Sequence, residues 1–174
     1  LTGNDLVEDD LEDRRIALLA AAAELDDEDD DSIENTFLTF HVAGEEYAVP
    51  VANVTEIVRL QKTYAVPDVP SYIRGVINLR GKVIPLLDVR NRFGLADAAY
   101  TDRTVIVVLE HGDSATGLVV DAVSEVTEIL PDQIEARTGL RTQARPSMVR
   151  GMGKRANRVS FILDVPALLT PEAA

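Results

Sequence analysis

The stretch GVINLRGKVIPLLDVRNRFG, residues 75 to 94, decides how the rest of the chain is read. Two apolar runs, residues 75–77 and 83–87, flank Asn78, Leu79, Arg80, Gly81 and Lys82. The pattern is a strand, an exposed turn and a returning strand. A plain hairpin needs only Asn-Gly or Asp-Gly at such a place. Here the turn carries a guanidinium beside a glycine, a pairing suited to a carboxylate contact where a partner's backbone can come close. The ordinary alternative is a solvated surface arginine. Just downstream, Asp88 can N-cap a brief helix over residues 89–93 that ends at Gly94.

Working outward, the same plan recurs. Residues 73–93 match residues 149–169 at a constant offset of 76, placing Arg74-Gly75 over Arg150-Gly151, Val83 over Val159 and Leu87-Asp88-Val89 over Leu163-Asp164-Val165. A weaker echo sets Glu56 over Glu125. At position 80 the copies diverge, with Ala156 opposite Arg80, which argues against a barrel-shaping role for the arginine.

Upstream, Phe37, Phe40 and Val42 lead through the turn signal at 43–46 to an alternating return strand at Tyr47, Val49 and Val51. Val51, Val54, Ile57 and Val58 are spaced by threes and fours, which predicts a short helical turn with Glu56 on its surface. Pro67 and Pro70 mark a loop, and residues 104–110 and 116–123 form another hairpin around 111–114. Short strands with regular turns, and no βαβ alternation, predict two related lobes, each a small SH3-sized β-barrel.

The net charge of −13 resides almost wholly in the first 35 residues, which hold 14 of the 30 acidic residues and only Arg14 and Arg15 as bases. The body is electrically balanced and lacks the basic concentration that nucleic-acid binding needs. Residues 5–25 favour helix, while 26–31 (DDEDDD) repel one another and stay extended, so 1–35 reads as an acidic, partly helical leader. Without cysteine there are no disulfides or thiolate metal sites. The longest apolar run near the N-terminus, residues 16–23, falls far short of a membrane span, so a cytoplasmic protein is expected.

Catalytic constellations are scarce. Asp88 and Asp164 occupy equivalent positions and invite comparison with a shared-proton dyad, but neither stands in a D-[ST]-G turn, and capping explains both. His41 and His111 lack companions at ligand spacing. No phosphate loop, G-x-S-x-G or G-x-G-x-x-G is present, so no catalytic residue, cofactor or metal is expected.

The segments EEYAVPVANVTEIV, VPSYIRGVINLRGKVIPLLDVRNRFGL, TVIVVLE and TGLVVDAVSEV together resemble the CheW family of chemotaxis coupling proteins. The resemblance covers about residues 36–170, leaving 1–35 as leader and 171–174 as tail. It implies an all-β fold of two intertwined five-stranded SH3-like barrels with short helices. It also implies a non-enzymatic adaptor that couples the cytoplasmic tips of methyl-accepting chemoreceptors to the regulatory domain of a CheA-type histidine kinase. Such a protein works in the cytoplasm at membrane-bound arrays, without inserting into the bilayer. By resemblance, Arg80, Glu56, Val54, Gly75, Leu79 and Gly81 are coupling positions, and Val105, Ile106, Gly117, Val123 and Val126 belong to a receptor groove. Two other readings stand beside it. One is a CheW-like regulatory domain cut from a larger protein, such as the kinase itself or a coupler–receiver fusion; Leu1 in place of Met fits it, whereas the intact turn at 78–81 and the short tail after Leu169 favour a free-standing coupler. A remote one is a β-barrel hydrolase built on Asp88.

Overall fold

The computed structural model describes residues 33–136 and 142–170, so the expected leader and tail lie outside the described residues apart from 33–35. The first strands among the described residues form the hairpin β1 (Thr36–Val42) and β2 (Glu45–Pro50), joined by Ala43 and Gly44, both at positive φ as a tight two-residue turn requires. A 3₁₀ turn (Val51–Asn53) leads into β3 (Val54–Arg59). An exposed loop follows, then β4 (Ile73–Leu79), β5 (Lys82–Asp88) and the short helix α1 (Val89–Arg92). The second half repeats this order with β6 (Val105–His111), β7 (Ser114–Val120), β8 (Ala122–Glu128), the three-residue β9 (Ile134–Ala136), β10 (Val149–Arg155), β11 (Arg158–Leu163) and α2 (Val165–Leu169).

The strands form two sheets, β3-β6-β7-β5-β4 and β8-β1-β2-β11-β10-β9. Each lobe therefore combines strands of one repeat with the hairpin of the other: β6 and β7 join β3, β4 and β5, while β1 and β2 join β8, β10 and β11, with the short β9 added at the edge beside β10. The repeats are thus not self-contained lobes, as a linear reading suggests, but exchange hairpins, as the intertwined arrangement implies. The links explain the exchange. Only Val51–Asn53 separates β2 from β3, and only Asp121 separates β7 from β8. Neither link reverses the chain, so each third strand passes into the neighbouring sheet.

Two local expectations are corrected. Residues 54–59 are a strand, not a helical turn. A bulge between Val54 and Glu56 disrupts the strict alternation and leaves apolar residues at spacings that mimic a helix. Likewise residues 116–123 are not one hairpin arm, because the chain changes sheets at Asp121.

The sequence repeat at offset 76 is reproduced in three dimensions. Bulges lie between Ile73 and Gly75 in one copy and between Val149 and Gly151 in the other. Asp88 N donates to the Tyr72 carbonyl and Asp164 N to the Met148 carbonyl, both at 2.8 Å. The Asp88 carboxylate accepts from Asn91 N at 3.3 Å and that of Asp164 from Ala167 N at 3.0 Å, so both aspartates cap helices as expected.

Buried residues fall into three clusters. One fills the first lobe with Val58, Ile77, Ile84, Leu86, Ile106, Val108 and Val119, and one fills the second with Phe37, Ala48, Ile129 and Ile162. The largest draws on both sheets, including Phe40, Tyr47, Val105, Leu118, Val123, Phe161 and Leu163, and joins the lobes into one body. No helix among the described residues is long and apolar enough to cross a membrane.

Candidate functional site

The β4–β5 turn projects from the first lobe. Arg80 (φ 55°) and Gly81 (φ 83°) occupy its two central positions, and the Asn78 side chain accepts from Gly81 N at 2.9 Å. The counterpart Ala156 (φ 47°) shares this left-handed backbone, so the conformation belongs to the two-residue turn in both copies, whichever side chain the position carries. Its side chain is 69% exposed and donates to Glu56 Oε2 at 2.6 Å. That hydrogen bond and the glutamate's charge hold the guanidinium's proton more tightly.

Glu56 lies on β3 and Arg80 at the tip of β4, the two outermost strands of their sheet. The ion pair therefore links the two outer strands through a largely exposed arginine. The second lobe is bridged differently. There Glu125, the counterpart of Glu56, accepts from Arg155 at 3.0 Å and Arg158 at 2.7 Å, residues aligned with Leu79 and Lys82 rather than with Arg80. The same two arginines grip Glu46, which Ser160 also contacts. Burial raises the Glu46 carboxyl, but Ser160, Arg158 and Arg155 outweigh it and hold the pKa below its ordinary value. Sequence reasoning missed this network, although arginines opposite Leu79 and Lys82 in the repeat were its visible sign.

The other coupling positions surround the turn or support it. Leu79 is half-buried against the first-lobe core, and Val54 is half-buried against the shared core. Gly75 is buried at φ 141°, where a Cβ would overlap the Tyr64 carbonyl oxygen and fall 2.9 Å from Thr63 Cγ2. Glycine there lets the 60–72 loop bridge to β4 through Tyr64 and Val76. A pocket of about 250 Å³ beside the turn is lined by Glu56, Leu79, Arg80, Lys82, Ile84 and Val108.

The five groove positions do not gather on one surface. Val105 and Val123 are buried in the shared core and Val126 packs against it, whereas Ile106 fills the first lobe. Gly117 faces that interior too, because a Cβ there would stand 2.7 Å from Ile106 and 2.8 Å from Leu86. A cavity of about 590 Å³ opens where the two halves meet, lined by His41, Arg90, Arg103, Thr104, Asp121 and Ala122 among others, and contains none of the five.

Two α1 arginines tie the halves together, and neither was singled out from sequence. Arg90 binds both oxygens of Asp121 at 3.1 and 2.7 Å, and Asp121 also accepts from Ala43 N at 2.9 Å. Burial pushes the Asp121 carboxyl up, but Arg90 and the Ala43 amide outweigh it and lower its pKa. Arg92, only 2% exposed, donates to the carbonyls of Leu168, Ala167 and Thr170 at 2.9, 3.1 and 2.8 Å, so α1 caps the C-terminus of α2. Its guanidinium lies 4.7 Å from the Tyr72 ring centre.

Comparison with known proteins agrees with this architecture. Residues 36–173 match the family model for the CheW-like domain. The chain is 37% identical over 138 residues to the chemotaxis protein CheW of Bacillus subtilis, covering 79% of this chain and 88% of that one. It is 30% identical over 142 residues to the chemotaxis protein CheW of Klebsiella aerogenes, covering 82% and 86%. The crystal structure of the scaffolding protein CheW from Thermoanaerobacter tengcongensis superposes with a TM-score of 0.70 at 31% identity, covering 75% of this chain and 89% of that one.

Proposed function

Because the chain belongs to the CheW family, we propose that it is a non-enzymatic adaptor joining chemoreceptors to a CheA-type histidine kinase in chemotaxis arrays. The observation that carries this reading is the β4–β5 turn, where an exposed Arg80 pairs with Glu56 at the edge of a packed lobe. The kinase's regulatory domain docks against this face, with Arg80, Glu56, Leu79 and Gly81 in contact. Val54 and Gly75 hold the surrounding strand and loop in shape. Val105, Ile106, Gly117, Val123 and Val126 act from within, fixing the strands that frame the place where the receptor tip is received. Residues 36–170 form the coupling body, 1–35 an acidic leader and 171–174 a tail. The protein acts in the cytoplasm beneath membrane-bound receptors and transmits displacement, with no chemical group transferred.

Arg80→Glu tests this. The reversed charge repels Glu56 and removes the displayed cation, while Asn78 and Gly81 still make the turn. Circular dichroism should match the wild type, and calorimetric titration with the kinase regulatory domain should show a loss of at least ~1–3 kcal/mol, the size of an interface hot spot. Unchanged affinity in a folded variant removes the turn from the interface.

A further inference from the structure

The Glu56–Arg80 pair of the first lobe uses only one carboxylate oxygen. Glu56 Oε2 receives Arg80, but Glu56 Oε1 is buried and has no hydrogen-bond partner among the described residues. A buried carboxylate oxygen without a donor is costly, and native structures rarely leave one so without a reason. The second lobe is built differently. Glu125 there takes hydrogen bonds from two arginines, Arg155 and Arg158, both at Oε1, where the first lobe has Leu79 and Lys82. It is 39% exposed, so its other oxygen is open to water. Within that network Arg155 Nε is buried without a partner among the described residues. Lys82 does not replace them, since its ammonium turns to Glu110 at 3.8 Å. The pocket of about 250 Å³ at this point has Leu79, Ile84, Val108 and Ala115 among its lining residues, together with Glu56.

We infer that the docking partner inserts a side chain into this pocket and donates a hydrogen bond to Glu56 Oε1. The inference rests on the adaptor reading and names the chemistry of the contact. The apolar lining fits an aliphatic or aromatic stem. Glu56, Arg80, Lys82 and Glu110 already balance in charge, so a neutral donor, an amide or a hydroxyl, fits better than a cation. Glu56 is then a contact in its own right, and more than a support for Arg80.

A double-mutant cycle separates the two roles, using the full chain and the kinase regulatory domain in titration calorimetry. Arg80→Gln removes the cation, and Glu56→Met removes both acceptor oxygens at similar side-chain length. If Glu56 touches the partner directly, adding Glu56→Met to Arg80→Gln weakens binding by at least a further fivefold. If it acts only by holding Arg80, the double variant binds within twofold of Arg80→Gln alone, and the inference is overturned. Leu79→Arg with Lys82→Arg rebuilds the second lobe's arginine pair; it should keep the thermal midpoint at or above wild type while weakening binding at least tenfold, and unchanged binding again overturns the inference. A wild-type chain that ignores the kinase domain altogether refutes the adaptor reading instead.

Discussion

Arg92→Ala gives the sharpest test of how the two halves are joined. The side chain is almost fully buried, and its three hydrogen bonds end on carbonyls at the C-terminus of α2. Hydrogen bonds from a charged donor are each worth about 1.5–3 kcal/mol. They do not add fully, since one guanidinium makes all three and its own desolvation is relieved when it is removed. A net loss of about 3 kcal/mol follows, against a total stability of roughly 5–15 kcal/mol for a domain of this size. The assay is urea unfolding followed by circular dichroism, with the slope required to stay constant so that the midpoint reports stability. Arg92→Lys restores the charge but not the planar fork, and should recover only part of the loss. A loss under ~1 kcal/mol for Arg92→Ala would refute the clamp, because α2 would then be held by its apolar contacts alone.

Two further substitutions probe the frame around the site. Gly75→Ala places a methyl group against the Tyr64 carbonyl at a φ of 141°, and should lower stability by roughly 2–4 kcal/mol through overpacking and backbone strain; a thermal melt within 2 °C of wild type contradicts that packing. Glu46 has its carboxyl pKa lowered by folding, so its stabilisation is present above the ordinary value of 4.5 and is lost as pH falls through the lowered folded value. Glu46→Gln should therefore cost about 3 kcal/mol at pH 7, the low end for a broken buried pair because Arg158 is half exposed. The difference from wild type should shrink below pH 4.5 in urea titrations repeated across pH 2.5–7. A pH-independent difference excludes the ion network as its source.

The architecture was legible in the sequence where local chemistry repeats. The offset of 76 located both turns, both capping aspartates and both strands between them, because each depends on a few residues close in the chain. The segment at 51–59 misled because a β-bulge shifts the side-chain phase by one residue, and a period of two with one insertion imitates a period near three and a half. The hairpin exchange could not be seen in linear order, since it follows from the two short links, Val51–Asn53 and Asp121, rather than from the strands they join. At the site, Arg80 and Glu56 were identified by resemblance, but their direct pairing needs the barrel's closure to bring residues 24 apart together. The arginine clamps were invisible for the same reason. Arg92 and Leu168 are 76 residues apart and meet only because the two repeats face each other.

The placement of the shared core constrains how such an adaptor can pass a signal. Phe40, Tyr47 and Phe161 from the second sheet and Val105, Leu109 and Leu118 from the first sit in one cluster, and Arg90 and Arg92 bridge the same boundary. Hinging one lobe against the other would pull such side chains apart at roughly 1.5–3 kcal/mol for each one returned to water. Several such losses exceed the 1–3 kcal/mol typical of coupling between sites. Lobe-on-lobe hinging is thus the expensive route, and rotation or translation of the whole body the cheap one. Under the adaptor reading, a receptor that shifts its grip on one part of the coupler moves Arg80 and its neighbours on another by the same displacement.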